Sequence, residues 1–177
     1  MDHVWSPWRY KYLTGAREPG GCIFCSIAST PMDDDATLVV RRGKHNFIVL
    51  NRYPYTSGHL MVVPYAHEAE LGAISAACAA EMMLLARTAE VKLRGVYRPD
   101  GMNLGMNLGE SAGAGVAAHL HLHVLPRWAG DTNFMTTVGE TRVLPEELSV
   151  TLSRLRTAFE EPPRLGAAFQ VIEKEQS

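Results

Sequence analysis

The sequence predicts an α+β fold, in which an antiparallel sheet carries helices on one face. Short β-branched and apolar segments, bounded by turn residues, occur before and after one long segment with helical periodicity. A second helical segment follows the last predicted strand. Because strands and helices do not alternate regularly, these observations favour an antiparallel sheet over a series of parallel βαβ units.

The first half of the chain contains three predicted strands. The segments "TLVVRR" (37–42) and "NFIVLN" (46–51) are rich in β-branched residues and form a predicted hairpin around the turn at 43–45. After a loop with Pro, Ser and Gly, "HLMVVP" (59–64) is the third strand, which Pro64 ends.

The second half begins with the long helix. From about 70 to 96 apolar residues recur at intervals of three and four, which predicts a helix whose apolar stripe covers the sheet. A strand at 102–109 and a small-residue loop at 110–118 follow. A histidine-rich strand comes next, and a second helix is predicted at 144–161.

The composition is that of an ordinary globular protein of about one domain or slightly more. The chain has 177 residues, 46% hydrophobic and 20% charged, with a formal net charge of −2. It contains no long basic run and no apolar run that matches a membrane span, so we expect neither a nucleic-acid partner nor a membrane partner. The N-terminus lacks the apolar segment of an export signal, which predicts a cytoplasmic location.

The most informative segment is "HLHLHVLPRW" at residues 119–128. Because side chains alternate across a strand, the three histidines share one face and the apolar residues share the other. The predicted histidine face comprises His119, His121 and His123. One face is expected in the core, and the other presents a row of ionisable rings.

Three interpretations of the histidine face are open. Strict alternation of an uncommon residue disfavours a chance cluster of surface histidines. Imidazole is a common metal ligand, but three same-face residues of one strand do not converge easily on one ion. Histidine is also a nucleophile in phosphoryl and acyl transfer. The small-residue loop "GESAGAG" (109–115) favours the third interpretation, because such a loop lets backbone N–H groups approach phosphate oxygens.

The cysteine pair "CIFC" (22–25) has the spacing of half a tetrahedral zinc site. In a reducing compartment such a pair indicates metal binding or redox chemistry more often than a structural disulfide. A thioredoxin-like role is less favoured, because the pair is not expected to follow a strand and open a helix. Plain buried thiols remain a third possibility.

The triad His119-Leu-His121-Leu-His123-Val-Leu resembles the signature of the histidine-triad (HIT) family. The segments "NRYPYTSGHLMVVPYAH" (51–67) and "NLGESAGAG" (107–115) resemble two further family segments in the same order, and "CIFC" resembles the cysteine pair of zinc-bearing bacterial members. The resemblance covers roughly residues 20–128. The segments "WSPWRYKYL" and "PRWAGDTNFM" resemble a bacterial subgroup similar to diadenosine tetraphosphate phosphorylases.

The resemblance implies a fold and an organisation of the chain. The family fold is an α+β domain with a five-stranded antiparallel sheet and two helices, which usually pairs into a homodimer. We therefore expect an N-terminal aromatic arm at 1–20, a catalytic domain at 21–135, and a C-terminal helix and tail at 136–177.

The resemblance also implies an activity. Family members are nucleotidyl hydrolases or transferases that attack the α-phosphate of a purine nucleotide or dinucleoside polyphosphate and form a nucleotidyl-histidine. They need no organic cofactor. A nucleotide-binding regulator with little turnover and a phosphoramidate-type nucleotide hydrolase are the alternatives. The intact triad disfavours the regulator, because binding alone needs no nucleophile.

Residue roles follow from the same resemblance. The triad supplies the catalytic residues: His121 is the nucleophile, and His123 lies near the phosphate oxygens and leaving group. Asn51 matches a ribose-binding position, and Asn107 matches a phosphate-binding one. Further substrate contacts are expected from the loop residues Gly113, Ala114 and Gly115, from Trp128, and in an apolar base pocket from Phe24, Ile27 and Leu50.

Three of these expectations have a structural alternative. Asn51 also fits a simple turn, Asn107 also fits a bond to neighbouring backbone, and Trp128 either stacks on a purine or caps the core. His59, which follows Gly58 at the start of a strand, is expected to be a structural hydrogen-bonder.

One departure from the family concerns the loop before the triad. Familiar hydrolases carry Gln, or Gln then Ser, shortly before the first histidine, whereas residues 112–115 here read "AGAG". Without a side-chain donor, backbone N–H groups must orient the phosphate. Whether water, phosphate or a second nucleotide resolves the intermediate stays open, and the subgroup resemblance favours phosphate.

A structural zinc ion is implied by zinc-bearing relatives. The other two ligands in those relatives are the histidine after the third strand and the first triad histidine, which here are His67 and His119. With Cys22 and Cys25 they would fill all four positions of a tetrahedral site.

Overall fold

The computed structural model describes residues 21–30, 34–132 and 146–161. The predicted arm at 1–20 lies outside these residues. The five predicted strands are present and form one antiparallel sheet in the order β1-β2-β3-β5-β4. They are β1 (Val39–Arg42), β2 (Asn46–Leu50), β3 (Leu60–Pro64), β4 (Gly101–Met106) and β5 (Leu122–Arg127).

The last strand starts later than the sequence predicted. Strand β5 begins at Leu122 rather than at 119, because the N–H of His119 bonds to the carbonyl of Val116 and the N–H of Leu120 bonds to that of Glu68. Neither amide therefore joins a sheet ladder. The alternation of side chains nevertheless continues through 119–124, since the two leucines and Val124 belong to one core cluster.

In the described ranges four helices accompany the sheet: α1 (Ile23–Ala28), α2 (Asp34–Thr37), α3 (Ala76–Tyr97) and α4 (Leu148–Glu160), with a 3₁₀ turn at Glu110–Ala112. The long helix α3 begins at 76 instead of 70, because the side chain of Ser75 accepts a hydrogen bond from the N–H of Cys78 and caps it. The two short helices were not predicted, because four or six residues show no helical period.

One face of the sheet packs against α3 and α4. Small and medium side chains along α3, such as Ala86 and Ala89, let the helix approach the strands closely. The core cluster on this face includes Ile48, Leu50, Leu60, Val62, Met82, Leu93, Leu122, Val124, Leu155 and Phe159. Helix α4 therefore shares one hydrophobic core with the sheet and with α3. No helix among the described residues is long and apolar enough to cross a membrane.

The opposite face of the sheet is also covered, which differs from the prediction of helices on one face only. Alternate residues of β2 and β3 point to this side and pack with Phe24 of α1. This second cluster comprises Phe24, Val39, Phe47, Val49, Met61 and Val63. Because both faces are buried, the central strands are continuous apolar runs. The histidine rings lie on this second face.

Gly58 is required where the loop after β2 enters β3. Its φ is +77°, and a Cβ atom added there would lie 3.0 Å from side-chain atoms of both Leu93 and Tyr97. We expect Gly58→Ala to lower the free energy of unfolding by about 1–3 kcal/mol through backbone strain and overpacking. Urea denaturation measures the change.

Gly95→Ala is the matched control for that substitution. Gly95 lies on an exposed part of α3, and an added Cβ would meet nothing within 4 Å. We expect it to raise the stability by up to about 1 kcal/mol, because alanine is the better helix former. A Gly58→Ala protein as stable as the wild type would contradict the packing described here.

Candidate active site

The three triad rings are buried on the same side of the sheet. His119, His121 and His123 are 1%, 5% and 8% exposed. The ring of Phe24 packs against both of the first two, at centroid distances of 5.3 and 5.1 Å. The rings of His121 and His123 lie 4.9 Å apart. Burial disfavours the imidazolium form and lowers the pKa of each of the three, that of His123 to about 4.

The tautomer of His121 is fixed by its own backbone segment. Its Nδ1 lies 2.8 Å from the carbonyl oxygen of His119, a group that only accepts hydrogen bonds. Nδ1 must therefore carry the proton and donate it, which leaves the lone pair on Nε2. Within the described residues no group bonds to that Nε2. A neutral imidazole with an unengaged lone pair is a competent nucleophile.

His59 fixes the tautomer of His123. The backbone N–H of Tyr55 donates to Nδ1 of His59 at 3.2 Å, so the proton of His59 sits on Nε2. That Nε2 lies 2.8 Å from Nδ1 of His123 and donates to it. The neutral ring of His123 consequently carries its own proton on Nε2, as a hydrogen-bond donor. His59 is fully buried and is a structural hydrogen-bonder, as the sequence analysis expected.

His119 turns away from the other two rings toward the cysteines. Its Nε2 lies 2.9 Å from the carbonyl oxygen of Pro64 and donates to it, so Nδ1 keeps a lone pair. That Nδ1 is 3.2 Å from Sγ of Cys22 and 3.7 Å from Sγ of Cys25. Sγ of Cys25 is also 3.2 Å from Nδ1 of His67. The structure thus brings together all four residues that the resemblance named as metal ligands, with their ligand atoms within 4.8 Å of one another.

The cysteine pair does open a helix, contrary to the sequence expectation. Cys22 is the N-cap residue of α1, and Cys25 lies in its first turn. The helix was missed because it has only six residues. Both cysteines are free of disulfides and partly exposed. Their position resembles that of a redox pair, but two imidazole nitrogens surround the sulfur atoms, which favours a metal.

A cavity of about 530 Å³ opens beside His121 and His123. Its walls are mainly apolar and come from α1, the segment 36–38 and strand β2. The predicted base-pocket residues Phe24, Ile27 and Leu50 all line it. Arg52 is the only Lys, Arg, Asp or Glu among the described lining residues. An apolar cleft with a few polar groups is the usual form of a small-molecule site.

The loop before the triad offers fewer backbone donors than its sequence suggested. The N–H of Gly113 donates to the carbonyl of Glu110, and that of Ala114 donates to the carbonyl of Gly109. Ala114 is buried and does not line the cavity. In the described part of the chain, the N–H groups of Gly115 and Val116 have no protein acceptor, and both residues line the cavity.

The two asparagines lie at the rim of the same cavity. Asn51 follows β2, its Oδ1 accepts the N–H of Tyr53 at 2.9 Å, and its Nδ2 lies 3.3 Å from Nδ1 of His59. Asn107 makes only a long 3.5 Å contact with the carbonyl of Gly113. Both asparagines lie beside the histidines, and the side chain of each also contacts a neighbouring backbone group.

Trp128 is not brought into the cavity. Its indole meets the ring of Tyr97 edge to face at a centroid distance of 6.4 Å. Its backbone N–H is held by Asp131, which also pairs with Arg127. Of its two sequence interpretations, the contact with Tyr97 matches packing against the body of the fold.

Besides Val116, sequence reasoning missed two residues at the site. The ring of Tyr55 stacks on that of His123 at a centroid distance of 6.2 Å and packs at a tilt against that of His59 at 4.8 Å. Arg52 adds a cation to the rim. Both lie in the loop "RYPYTSG" (52–58), directly after Asn51, and a polar or aromatic loop next to a matched motif was the available signal.

Comparison with known proteins identifies the family. A family model described as the HIT domain matches residues 34–130. The chain is 41% identical over 169 residues to a protein of Mycobacterium tuberculosis named AP-4-A phosphorylase, covering 92% of this chain and 87% of that protein. The chain belongs to the histidine-triad family.

Solved structures agree with the fold. A zinc-bound histidine triad family protein from Mycobacterium smegmatis has a TM-score of 0.64 at 27% identity, covering 79% of this chain and 94% of that one. A histidine triad nucleotide-binding protein from Sulfolobus tokodaii, described as hypothetical, has a TM-score of 0.64 at 26% identity, covering 78% of this chain and 92% of that one.

The low pKa of His123 has a measurable effect on stability. Its ring is neutral in the folded protein above pH about 4, whereas its ordinary pKa is 6.5. Below pH 6.5 the unfolded chain binds the extra proton, so this group lowers the stability progressively until the pH falls below about 4. We expect the loss to reach about 3 kcal/mol at most.

His123→Gln isolates this contribution, because glutamine accepts the same hydrogen bond from His59 but does not titrate. Urea denaturation of both proteins between pH 7 and pH 4 measures it. We expect the wild type to lose more stability than the variant over this range. Parallel curves for the two proteins would show that His123 titrates at its ordinary pKa.

Proposed function

We propose that this chain is a dinucleoside polyphosphate phosphorylase, with diadenosine tetraphosphate as its substrate and residues 21–135 as its catalytic domain. The observation that carries the proposal is the pair of neutral imidazoles with opposite tautomers. His121 presents a lone pair, and its neighbour His123 presents an N–H donor. The similarity to a protein named AP-4-A phosphorylase supports the choice of substrate.

The proposed reaction has two displacements at the α-phosphorus. Nε2 of His121 attacks, a P–N bond forms, and the bond from phosphorus to the bridging oxygen breaks, which releases ATP. An oxygen of inorganic phosphate then attacks the adenylyl-histidine and breaks the P–N bond, which releases ADP and restores His121. The balance is diadenosine tetraphosphate plus phosphate to ATP plus ADP.

His123 and the loop stabilise charge in this scheme. The N–H of His123 donates to the bridging oxygen as negative charge develops on it. The N–H groups of Gly115 and Val116 donate to the α-phosphate oxygens and do the work that glutamine and serine side chains do in hydrolases. Transfer of this kind depends mainly on positioning and charge stabilisation.

The apolar end of the cavity takes the purine in this proposal. Phe24, Ile27 and Leu50 contact the base, while Asn51 contacts the ribose hydroxyls. The bonds from Asn51 to Tyr53 and His59 hold its side chain rigidly at the rim, which lowers the entropy cost of binding. Asn107 contacts a phosphate oxygen, since its present contact is long and easily replaced.

The decisive test incubates the protein with diadenosine tetraphosphate, with and without inorganic phosphate, and separates the products by chromatography. We expect ADP and ATP only when phosphate is present. His121→Asn is expected to lose at least about a thousandfold in rate, because the nucleophile is gone. His45→Asn, at the β1–β2 turn and outside the cavity, is the matched control and should keep full activity.

Other outcomes separate the alternatives. AMP and ATP without phosphate would make the protein a hydrolase. No product from diadenosine tetraphosphate, together with cleavage of an adenosine phosphoramidate, would favour the phosphoramidate hydrolase. Nucleotide binding without turnover of either substrate would favour the regulator.

We also propose that Cys22, Cys25, His67 and His119 hold a structural zinc ion. In a tetrahedral site with ordinary zinc bond lengths, sulfur and nitrogen ligands lie about 3.5 Å apart. The sulfur–nitrogen distances of 3.2 to 3.7 Å fit this value. The bond from Nε2 of His119 to the Pro64 carbonyl orients that ring as the outer shell of a metal site does. Zinc would tie α1 to the segment that carries the nucleophile.

Zinc content tests the metal site. We expect about one zinc per chain in the wild type by mass spectrometry, and a large loss in Cys25→Ser, because a hydroxyl is a poor zinc ligand. Cys78→Ser is the control, since Cys78 lies on α3, where it is buried and its sulfur contacts the side chain of Asn46. Equal zinc in Cys25→Ser and the wild type would disprove the assignment.

The same proposal includes a homodimer in the cytoplasm. Strand β4 is at the end of the sheet, and no described strand pairs with its outer edge. Leu104 of this strand and Leu108 just after it are 44% and 46% exposed, which suits contact with a second copy. The free thiols suit a reducing compartment.

A further inference from the structure

Helix α1 carries two different functional surfaces. Its N-cap residue Cys22 and first-turn residue Cys25 belong to the cluster of metal-ligating side chains. Ile23, Phe24 and Ile27 of the same helix line the cavity beside the histidines. Six residues therefore join the cysteine pair to one wall of the proposed purine site.

This helix has little stability of its own. Helices of six residues are unstable in isolation, and the N-cap makes no side-chain hydrogen bond. Its position depends on the packing of Phe24, Ile27 and Ala28 in and against the second core cluster. It also depends on a bond from Arg42 to the carbonyl of Ile27 and on the contacts of the two thiols with His67 and His119.

We propose that Cys22 and Cys25 are an oxidisable pair whose disulfide releases the metal and weakens nucleotide binding. This inference rests on the proposed zinc site and on the proposed nucleotide site. The oxidant is hydrogen peroxide. The O–O bond breaks, an Sγ–Sγ bond forms, the two sulfurs lose two electrons, and both peroxide oxygens leave as water after taking up two protons.

The geometry suits this modification. The two sulfurs lie within one cluster of atoms no more than 4.8 Å apart, and residues three apart in a helical turn are neighbours. Both thiols are partly exposed, so a small oxidant reaches them. Cys78, in contrast, is 5% exposed and its sulfur faces Asn46. It is an internal reference thiol.

Oxidation of the cysteine pair weakens nucleotide binding more than it slows the chemical step at His121. A disulfide consumes both sulfur ligands, so α1 loses the sulfur contacts with His67 and His119. Only apolar packing, including that of Phe24 on His119, and the bond from Arg42 then hold the helix, and the apolar wall loosens. His121 and His123 keep their places, because the bonds to the His119 carbonyl and to His59 involve neither sulfur. His119 itself stays attached to the carbonyl of Pro64.

The test treats the zinc-loaded full-length protein with hydrogen peroxide. Zinc release is followed with a chromogenic chelator, the disulfide by peptide mass spectrometry, and the affinity for AMP by calorimetry. We expect one zinc released per Cys22–Cys25 disulfide and an AMP dissociation constant raised about tenfold or more, because one apolar wall of the cavity is lost. Reductant plus zinc should restore the affinity.

Two controls make the result specific. Cys78→Ser should respond to peroxide as the wild type does. Protein stripped of zinc by a chelator, but kept reduced, should bind AMP as weakly as the oxidised protein. Unchanged AMP affinity in the oxidised, zinc-free protein, or oxidation that gives sulfinic acids without the disulfide, would overturn the inference. Failure of untreated zinc-loaded protein to bind AMP would instead count against the proposed function.

Discussion

Hydrogen bonds to fixed acceptors and donors of the fold determine what each triad imidazole does. Three identical side chains are buried on one face of the sheet, and in each of them one ring nitrogen bonds to a backbone carbonyl or to another imidazole. The carbonyl of Pro64 holds His119, the carbonyl of His119 holds His121, and the ring of His59 holds His123. The remaining nitrogens therefore differ. Nδ1 of His119 directs a lone pair toward two thiols. Nε2 of His121 has a lone pair toward the cavity, and Nε2 of His123 carries a proton beside it.

These assignments depend in turn on the packing of the opposite face. The leucines that alternate with the histidines are buried against α3 and α4, which fixes the rotation of the segment about its own axis. A shift by one residue would send the imidazoles into the apolar core and the leucines toward the metal cluster and cavity. The core cluster under α3 and α4 thus enforces the direction in which the histidines point, although Leu50 is its only buried member that lines the cavity.

The sequence was sufficient for the sheet, the long helix and the grouping of the histidines with the cysteine pair and the two asparagines, because each leaves a periodic or spaced pattern. The roles of these residues stay predictions, and Arg52 and Tyr55 were missed. Alternation at 119–124 and the family segments at 51–67 and 107–115 are of this kind. Helix α1 could not be predicted, since six residues carry no period. The tautomers of His119 and His123 depend on partners far away in the sequence, and the occupied N–H groups of Gly113 and Ala114 depend on the local turn geometry, neither of which a residue pattern encodes. Trp128 shows the same limit, since only the position of Tyr97 decides where its ring packs.

The bond between Nδ1 of His121 and the carbonyl of His119 has a stereochemical consequence. A ring held at Nδ1 cannot turn over, so in the proposed reaction the P–N bond is made and broken at the same nitrogen, and the two nucleophiles attack opposite faces of the phosphorus. The leaving group departs along the line by which the second nucleophile arrives. Each in-line displacement inverts the phosphorus centre, and two inversions leave its original handedness unchanged. A chiral α-phosphorothioate would therefore keep its configuration in the released nucleotide, because the fixed imidazole blocks one face of the phosphorus and leaves the second nucleophile the in-line approach.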